Sequence, residues 1–124
     1  MARYDHLPIY KKSFDLLIWT ENAVRNFSRY YKYSLGNDLR NSVREVLRTI
    51  VEANNTAERA AVLERLRIQL EDLMLLVRVA KEVKAFHNLN SYQYAAGEVL
   101  SLSRQNEGWL RSLGRKQPES RPCS

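Results

Sequence analysis

The feature that most constrains this chain is residues 63–87, which read as one long helix with apolar side chains on two faces. The first face has apolar residues at steps of three or four, the spacing of a helical stripe: Leu63, Leu66, Leu70, Leu73, Val77 and Ala80. The second, sparser row is Ile68, Leu75, Val79 and Phe86. A helix at the rim of a small bundle needs only one apolar stripe, about 100° wide. We therefore expect the second row to lie at a subunit interface or under the end of the last helix.

The rest of the chain predicts an all-α fold. No proline falls between Pro8 and Pro118, and no segment alternates apolar and polar residues as a strand would. Apolar stripes and polar breaks predict helices over residues 8–31, 35–53, 57–87 and 91–113. Because short loops make neighbouring helices antiparallel, we expect an up-down-up-down four-helix bundle over residues 1–114. Residues 115–124 are polar and contain two prolines, which predicts a disordered tail.

Local signals place the predicted helix ends. Ser34 is a candidate N-cap for the second helix, and Thr56 precedes the third. Asn90, followed by Gln93, has the spacing of a capping box for the fourth helix. Gly114 is placed to cap the C-terminus of that helix.

The net charge is +6, from 20 Lys and Arg against 14 Asp and Glu. Such a surplus favours a polyanionic partner, either nucleic acid or an anionic membrane surface. No run of about 18 apolar residues is present, so no transmembrane helix is predicted. There is no secretory signal pattern, and Cys123, as the single cysteine, can form no intramolecular disulfide. We expect a cytoplasmic protein without a membrane partner.

The spacing of the basic residues identifies candidate phosphate contacts. Guanidinium groups bind phosphate bidentately, and rows of them can follow a phosphate backbone. One row repeats every four residues over about 12 Å of the second helix, and another lies on the first helix and ends at the same turn. A third, sparser set repeats every third residue of the long helix. The three sets are Arg40, Arg44 and Arg48; Arg25, Arg29 and Lys32; and Arg78, Lys81 and Lys84.

Two features bear on how these rows would work. The second helix offers only Glu45 and Glu52 as local acidic partners, so its arginines are predicted to be partly uncompensated. Three tyrosines, Tyr30, Tyr31 and Tyr33, interleave with the basic residues of the first helix. They can stack on single-stranded bases, or they can cover the core with their hydroxyls in water, and the sequence leaves both alternatives open.

Catalytic chemistry has little support in the sequence. His6 and His87 lie far apart in the chain, and no Glu-x-x-His pair of the kind that binds metal in helical bundles is present. Glu71 and Asp72 are adjacent, so their side chains point about 100° apart on a helix and cannot both face one site. We predict no catalytic residues, no metal and no cofactor, which argues against a nuclease or a deaminase.

Four segments together carry a family resemblance. They are LPIYKKSFDLLIW at 7–19, KYSLGNDLR at 32–40, LEDLMLLVRVAKE at 70–82 and GWLRSLG at 108–114. Over residues 4–114 the chain resembles the Avd-like family, the accessory variability determinants of diversity-generating retroelements. The proteins encoded by intervening sequences in bacterial 23S ribosomal RNA genes share the general bundle pattern and remain an alternative.

The resemblance implies properties that spacing does not show. Avd-like proteins assemble as basic pentameric barrels, associate with the reverse transcriptase of the element and bind RNA or DNA with little sequence preference. They support mutagenic cDNA synthesis and have no known catalytic residues. A five-fold ring would cover the second apolar row of the long helix. A second hypothesis, from a different functional class, is an oligomeric scaffold that binds only protein partners.

Overall fold

The computed structural model describes residues 6–116, which contain five helices and no strand. Four helices are long and one is a single turn. They are α1 (Pro8–Arg25), α2 (Arg29–Lys32), α3 (Leu35–Asn54), α4 (Arg59–Glu82) and α5 (Leu89–Lys116). The all-α prediction is confirmed. Residues 117–124, including Cys123 and most of the predicted tail, lie outside the described part of the chain.

The four long helices form a square bundle. Helix α1 packs on α3 and α5, and α4 packs on the same two helices, so α1 and α4 lie on a diagonal. Along the α1–α5 interface, Lys12 pairs with Glu98, and Trp19 contacts Tyr94 at 4.9 Å between ring centroids. Because the residue numbers rise on α1 and fall on α5, the two helices are antiparallel. Helices α3 and α4 are joined by residues 55–58, and Glu52 near the end of α3 pairs with Arg65 near the start of α4, so these two helices are also antiparallel.

The core is built from the apolar stripes that the sequence showed. All six residues of the first row on α4 are buried, and four residues of α3 face them: Leu39, Val43, Val46 and Ile50. Burying one such aliphatic side chain contributes about 1.5–3 kcal/mol to the free energy of unfolding. The long helix therefore stabilises the bundle through its predicted inner face.

Helix α4 ends at Glu82, five residues before its predicted end. The N–H of Lys84 donates to the carbonyl of Lys81 at 3.0 Å, and the N–H of Ala85 donates to the carbonyl of Ala80 at 2.8 Å. This is a Schellman motif, whose C′ residue adopts a left-handed conformation, and Lys84 does so with φ 60°. Glycine usually occupies that position, because any residue with a Cβ loses about 1–2 kcal/mol there. The stop was missed because the sequence has lysine in place of that glycine.

The turn after α4 carries Phe86 into the core, which corrects one predicted interface residue. Phe86 is 9% exposed and contacts Trp19, Phe27 and Tyr92, with ring centroids 6.3, 5.7 and 6.5 Å away. Tyr92 belongs to the first turn of α5, so Phe86 lies under the end of that helix. This is the second of the two places predicted for the row, and Phe86 is separated from the exposed residues of α4 because that helix ends before reaching it.

The predicted first helix is interrupted, so residues 8–31 are not one helix. The N–H groups of Asn26 and Phe27 donate to the carbonyls of Ala23 and Val24 in tight turns at 3.1 and 2.9 Å. Phe27 is thereby buried against Phe86, and an extended Ser28 precedes α2. The break occurs because Phe27 packs into the core, and it separates Arg25 from the residues of α2.

Gly36 allows the first turn of α3 to lie close to α1. A Cβ at this position would lie 2.5 Å from Cγ1 of Val24 and 3.3 Å from the carbonyl oxygen of Tyr31. Ser34 occupies the predicted N-cap position, but its hydroxyl donates to the carbonyl of Tyr30 at 3.1 Å and makes no capping bond. The junction therefore depends on close packing at Gly36, and it has no side-chain cap.

Three other predicted helix ends are displaced. Helix α4 begins at Arg59, and the Thr56 hydroxyl accepts the N–H of Glu58 in the preceding turn at 3.1 Å. Asn88, and not Asn90, caps α5, because its side-chain oxygen accepts the N–H of Ser91 at 2.9 Å. Gly114 lies within α5, which continues to Lys116, so its assignment as a cap is wrong.

Candidate nucleic-acid interface

Arg40, Arg44 and Arg48, the α3 arginine row, are paired with acids. The Glu21 carboxylate on α1 bridges two of them, lying 3.0 Å from Nε of Arg40 and 3.0 Å from Nη2 of Arg44. Arg48 Nη1 lies 2.7 Å from the Glu45 carboxylate. The expectation that part of this row is left uncompensated is therefore wrong: its own helix supplies only Glu45, but α1 supplies Glu21.

Side-chain amides occupy further donors of the α3 arginine row. Arg40 Nη1 donates to Asn37 at 2.6 Å, and Arg44 Nη1 donates to Asn41 at 3.2 Å. Glu52, the second predicted local partner, pairs with Arg65 on α4 instead. A phosphate approaching this row would have to displace existing partners from the guanidinium groups, which lowers the free energy gained on binding.

Two loops meet at one end of the bundle and bring a second set of basic residues together. The α1–α3 connection, which includes α2, contacts the α4–α5 connection through Phe27 and Phe86, whose rings meet edge to face at 89°. We call this the basic end, and define it by the five cations of the two connections and their flanking turns: Arg25, Arg29, Lys32, Lys81 and Lys84. Residues far apart in sequence therefore form one surface.

The basic end has few acids to neutralise it. Glu21, Asp38 and Glu82 are the acids nearest to it in sequence, and Lys81 lies 3.6 Å from Glu82. Among the described residues, no carboxylate lies within ion-pair distance of the other four cations of this end. Arg25 instead donates to the Asn22 side chain at 2.8 Å. This end therefore presents positive charge whose hydrogen-bonding capacity is largely unused, as phosphate recognition requires.

Two of the three tyrosines near α2 are free to contact a ligand. Tyr30 is 80% exposed and Tyr33 is 69% exposed, whereas Tyr31 packs against the core. The rings of Tyr30 and Tyr31 meet nearly perpendicularly, with centroids 4.8 Å apart. The sequence allowed these tyrosines either to cover the core or to stack on bases. Tyr31 covers the core, whereas Tyr30 and Tyr33 offer exposed rings beside Arg29 and Lys32.

An ion-pair cluster on the opposite half of the bundle has a structural role. Arg67 holds Glu107 bidentately, through Nε at 2.6 Å and Nη2 at 2.7 Å, and also contacts Glu64 at 2.7 Å. The hydrogen bond from Arg67 lowers the pKa of Glu107, and the same bond raises the pKa of Arg67. These groups link α4 to α5, and two carboxylates engage the single guanidinium, so it is not available to a phosphate.

Helices α1 and α4 each carry exposed apolar residues on their outer surfaces. On α4, the outer row of Ile68, Leu75 and Val79 is 59%, 61% and 41% exposed. On α1, Phe14 and Ile18 are also exposed. Because α1 and α4 lie on a diagonal of the bundle, these two apolar surfaces face away from each other. These three residues of α4 are exposed in the single chain, so they are available for the subunit interface expected for the second apolar row. That interface stays a prediction.

The remaining candidate residues do not form a catalytic constellation. Glu71, Asp72, His6 and His87 are all exposed. Within residues 6–116, no group of three or more His, Cys, Asp or Glu side chains is placed to hold a metal ion. None of the described helices combines the length and the apolar character needed to cross a membrane.

Comparison with known proteins assigns the family. A family model described as bAvd-like matches residues 7–113, which include the packed bundle, the α3 arginine row and the basic end. No curated protein matches the chain. The match agrees with the resemblance carried by the four sequence segments, and the chain belongs to the bAvd-like family.

Proposed function

We propose that this protein is a non-enzymatic accessory protein of a diversity-generating retroelement that binds template RNA or cDNA and associates with the reverse transcriptase. Family membership supports the retroelement role and the polymerase partner. The observation that carries the nucleic-acid part is the basic end, where four cations lack acidic partners among the described residues. The α3 arginine row, with Glu21 and Glu45 in place, makes a smaller contribution.

The basic end binds nucleic acid without reading its sequence. Lysine and arginine contacts to phosphate release counterions, so affinity falls with salt by a log–log slope of about −0.7 per contact for single strands. Exposed tyrosine rings stack on any base, which contributes about 1–3 kcal/mol per base. Tyr30 and Tyr33 stand beside Arg29 and Lys32, so one strand can place phosphates and bases on the same surface. This combination favours single-stranded RNA or cDNA over a duplex.

The assembly proposed with this function is a pentameric ring. A copy-to-copy contact between the outer row of α4 and the exposed Phe14 and Ile18 of α1 would join two different faces. Such heterologous contacts form a ring when the rotation from copy to copy closes, here after five copies. Burying three or more exposed aliphatic side chains per contact supplies the apolar interaction that holds it. A ring also presents five basic ends to one strand, which raises avidity without any new contact.

Fluorescence anisotropy with a labelled single-stranded oligouridine tests the nucleic-acid proposal. We expect binding at low salt and a linear loss of log affinity with log salt concentration. A triple charge reversal, Arg29→Glu, Lys32→Glu and Lys84→Glu, is expected to weaken binding at least about a hundredfold. The matched control reverses Lys11, Arg104 and Arg111, which changes the net charge equally and leaves the basic end intact. Equal loss in both variants, or no binding by the wild type, would contradict the proposal.

The association with the reverse transcriptase is tested by co-purification before and after nuclease treatment. We expect the polymerase to remain bound when the nucleic acid is digested, because the proposal includes a direct protein contact. Loss of the polymerase on digestion would show that nucleic acid alone bridges the two proteins. A retained complex that never contains nucleic acid would instead favour a protein-only scaffold.

A further inference from the structure

A half-open cleft of about 380 Å³ lies where α4 ends and α5 begins. Its walls include the cations Lys81 and Lys84, the imidazole of His87, and the rings of Phe86 and Tyr92. This volume falls within the range of pockets that hold small organic ligands, about 300–1,000 Å³. The cleft thus combines groups that attract an anion with flat apolar surfaces.

Two polar groups of the cleft, the ammonium of Lys84 and the imidazole of His87, are available to a ligand. Lys81 Nζ lies 5.3 Å from the centroid of the Tyr92 ring, so its charge is held over an aromatic surface. No described side chain forms a hydrogen bond or ion pair with Lys84 or His87, and both are exposed. Helix α5 begins beside the cleft at Leu89, and the positive end of its dipole adds to the attraction for an anion.

The backbone at Lys84 points to a use for its ammonium group. Lys84 holds the left-handed conformation, φ 60°, that ends α4, a position where glycine or asparagine is less strained. A strained residue that remains in place motivates a hypothesis of function. At this position the lysine side chain is part of the cleft wall, whereas glycine would end the helix equally well and leave the cleft without that charge.

We propose that the cleft binds one nucleotide unit of a single-stranded nucleic acid. Lys84 and His87 bind its phosphate, and the half-buried ring of Tyr92, beside the buried Phe86, contacts its base. This inference rests on the proposed nucleic-acid binding and adds a defined subsite to it. A simple anion would use only the cations, whereas the aromatic wall favours a ligand that carries a flat apolar group next to its phosphate.

Nuclear magnetic resonance of the full chain, with labelled aromatic side chains, tests the ligand class. Adenosine monophosphate is expected to shift the resonances of Phe86, His87 and Tyr92 in a saturable way. Inorganic phosphate, as the comparison probe, is expected to shift His87 and leave the two rings of Phe86 and Tyr92 unchanged. Equal responses to both probes, or no response to the nucleotide, would overturn the proposal.

Two substitutions at Lys84 separate charge from folding. Lys84→Gly keeps the left-handed turn and removes the ammonium group, and Lys84→Arg keeps a cation. We expect Lys84→Gly to abolish the nucleotide response and to reduce the salt slope of oligouridine binding by about 0.7, with Lys84→Arg restoring both. Lys11→Ala, on the exposed surface of α1, serves as the control and is expected to change neither.

The outcomes distinguish this inference from the proposed function. If the wild type binds oligouridine in a salt-dependent way while Lys84→Gly behaves identically and no cleft resonance moves, the subsite is refuted and the proposed function stands. If the wild type binds no oligouridine at low salt, both are refuted. Loss of the nucleotide response in Lys84→Gly, with a melting temperature no lower than that of the wild type, supports the subsite.

Discussion

The α3 arginine row and the basic end contain similar residues in different electrostatic surroundings. The row is regular in sequence, yet Glu21 and Glu45 pair with its three arginines. The basic end is irregular in sequence, because two distant loops supply its residues, yet four of its five cations have no acidic partner in the described chain. Regular spacing of basic residues therefore does not measure the charge available to a ligand. Neighbouring helices decide that quantity.

Removing the contact that joins the two loops gives the largest expected effect. Phe86→Ala deletes a buried ring that touches Trp19, Phe27 and Tyr92, so the free energy of unfolding should fall by about 3–5 kcal/mol. Urea denaturation measures the loss. Phe14→Ala, at an exposed ring on α1, is the matched control and should cost less than about 1 kcal/mol in the monomer. Equal losses would show that the Phe27–Phe86 contact does not hold the basic end together.

The junction between α2 and α3 should show a smaller effect on stability. Gly36→Ala places a Cβ 2.5 Å from Val24 Cγ1, and the resulting overpacking should cost about 1–3 kcal/mol in thermal or urea unfolding. Gly97→Ala is the matched control, because nothing lies within 4 Å of its added Cβ. In the helix interior of α5 that change should stabilise the protein by about 0.5–1 kcal/mol. The same sign for both would contradict the close packing at Gly36.

Neutralising two residues in each region compares them directly. Arg29→Gln with Lys32→Gln should lower the affinity for oligouridine about tenfold at low salt, because both side chains are free to contact phosphate. Arg44→Gln with Arg48→Gln removes the same charge from paired positions and should lower it by less than about threefold. Anisotropy titrations at several salt concentrations measure both. A larger loss from the α3 pair would reverse the ranking of the two surfaces.

Removing the acid that bridges the α3 arginine row gives the smallest and most diagnostic change. Glu21→Gln abolishes the ion pairs of Arg40 and Arg44, which should raise oligouridine affinity about two- to threefold. Gln93→Glu provides the converse control, an added charge on the exposed surface of α5, and should lower affinity slightly. Unchanged affinity in Glu21→Gln would show that pairing with Glu21 does not reduce the binding of nucleic acid by the α3 arginine row.

The sequence predicts the parts of this fold that depend on local periodicity. The inner row of α4, the all-α class and the family all follow from helical spacing and from the quoted segments. It also identified Arg25, Arg29 and Lys32 as candidates, although their assumed continuous helix breaks at Phe27. Three residues of the second apolar row are exposed on α4, as a subunit interface would need. The fourth, Phe86, is buried.

The missed features depend on interactions between distant residues or on strained backbone. Glu21 lies 23 positions from Arg44 in sequence, so no local pattern shows that the two meet. The end of α4 depends on Lys84 adopting a conformation that is usually signalled by glycine. Helical spacing places Lys84 with Arg78 on one helix, so it does not indicate that Lys84 lies in the connection that packs, through Phe86, on Phe27.

Cross-link mapping reports directly which surface of the bundle contacts a nucleic-acid strand. Photo-activated thiouridine in a single-stranded RNA, followed by mass spectrometry of digested peptides, reports which residues contact the strand. We predict cross-links in peptides that contain Tyr30, Tyr33 and residues 84–92, and few in peptides from the middle of α3. Cross-links concentrated around Arg44 and Arg48, with none at the two loops, would contradict the assignment of nucleic-acid binding to the basic end.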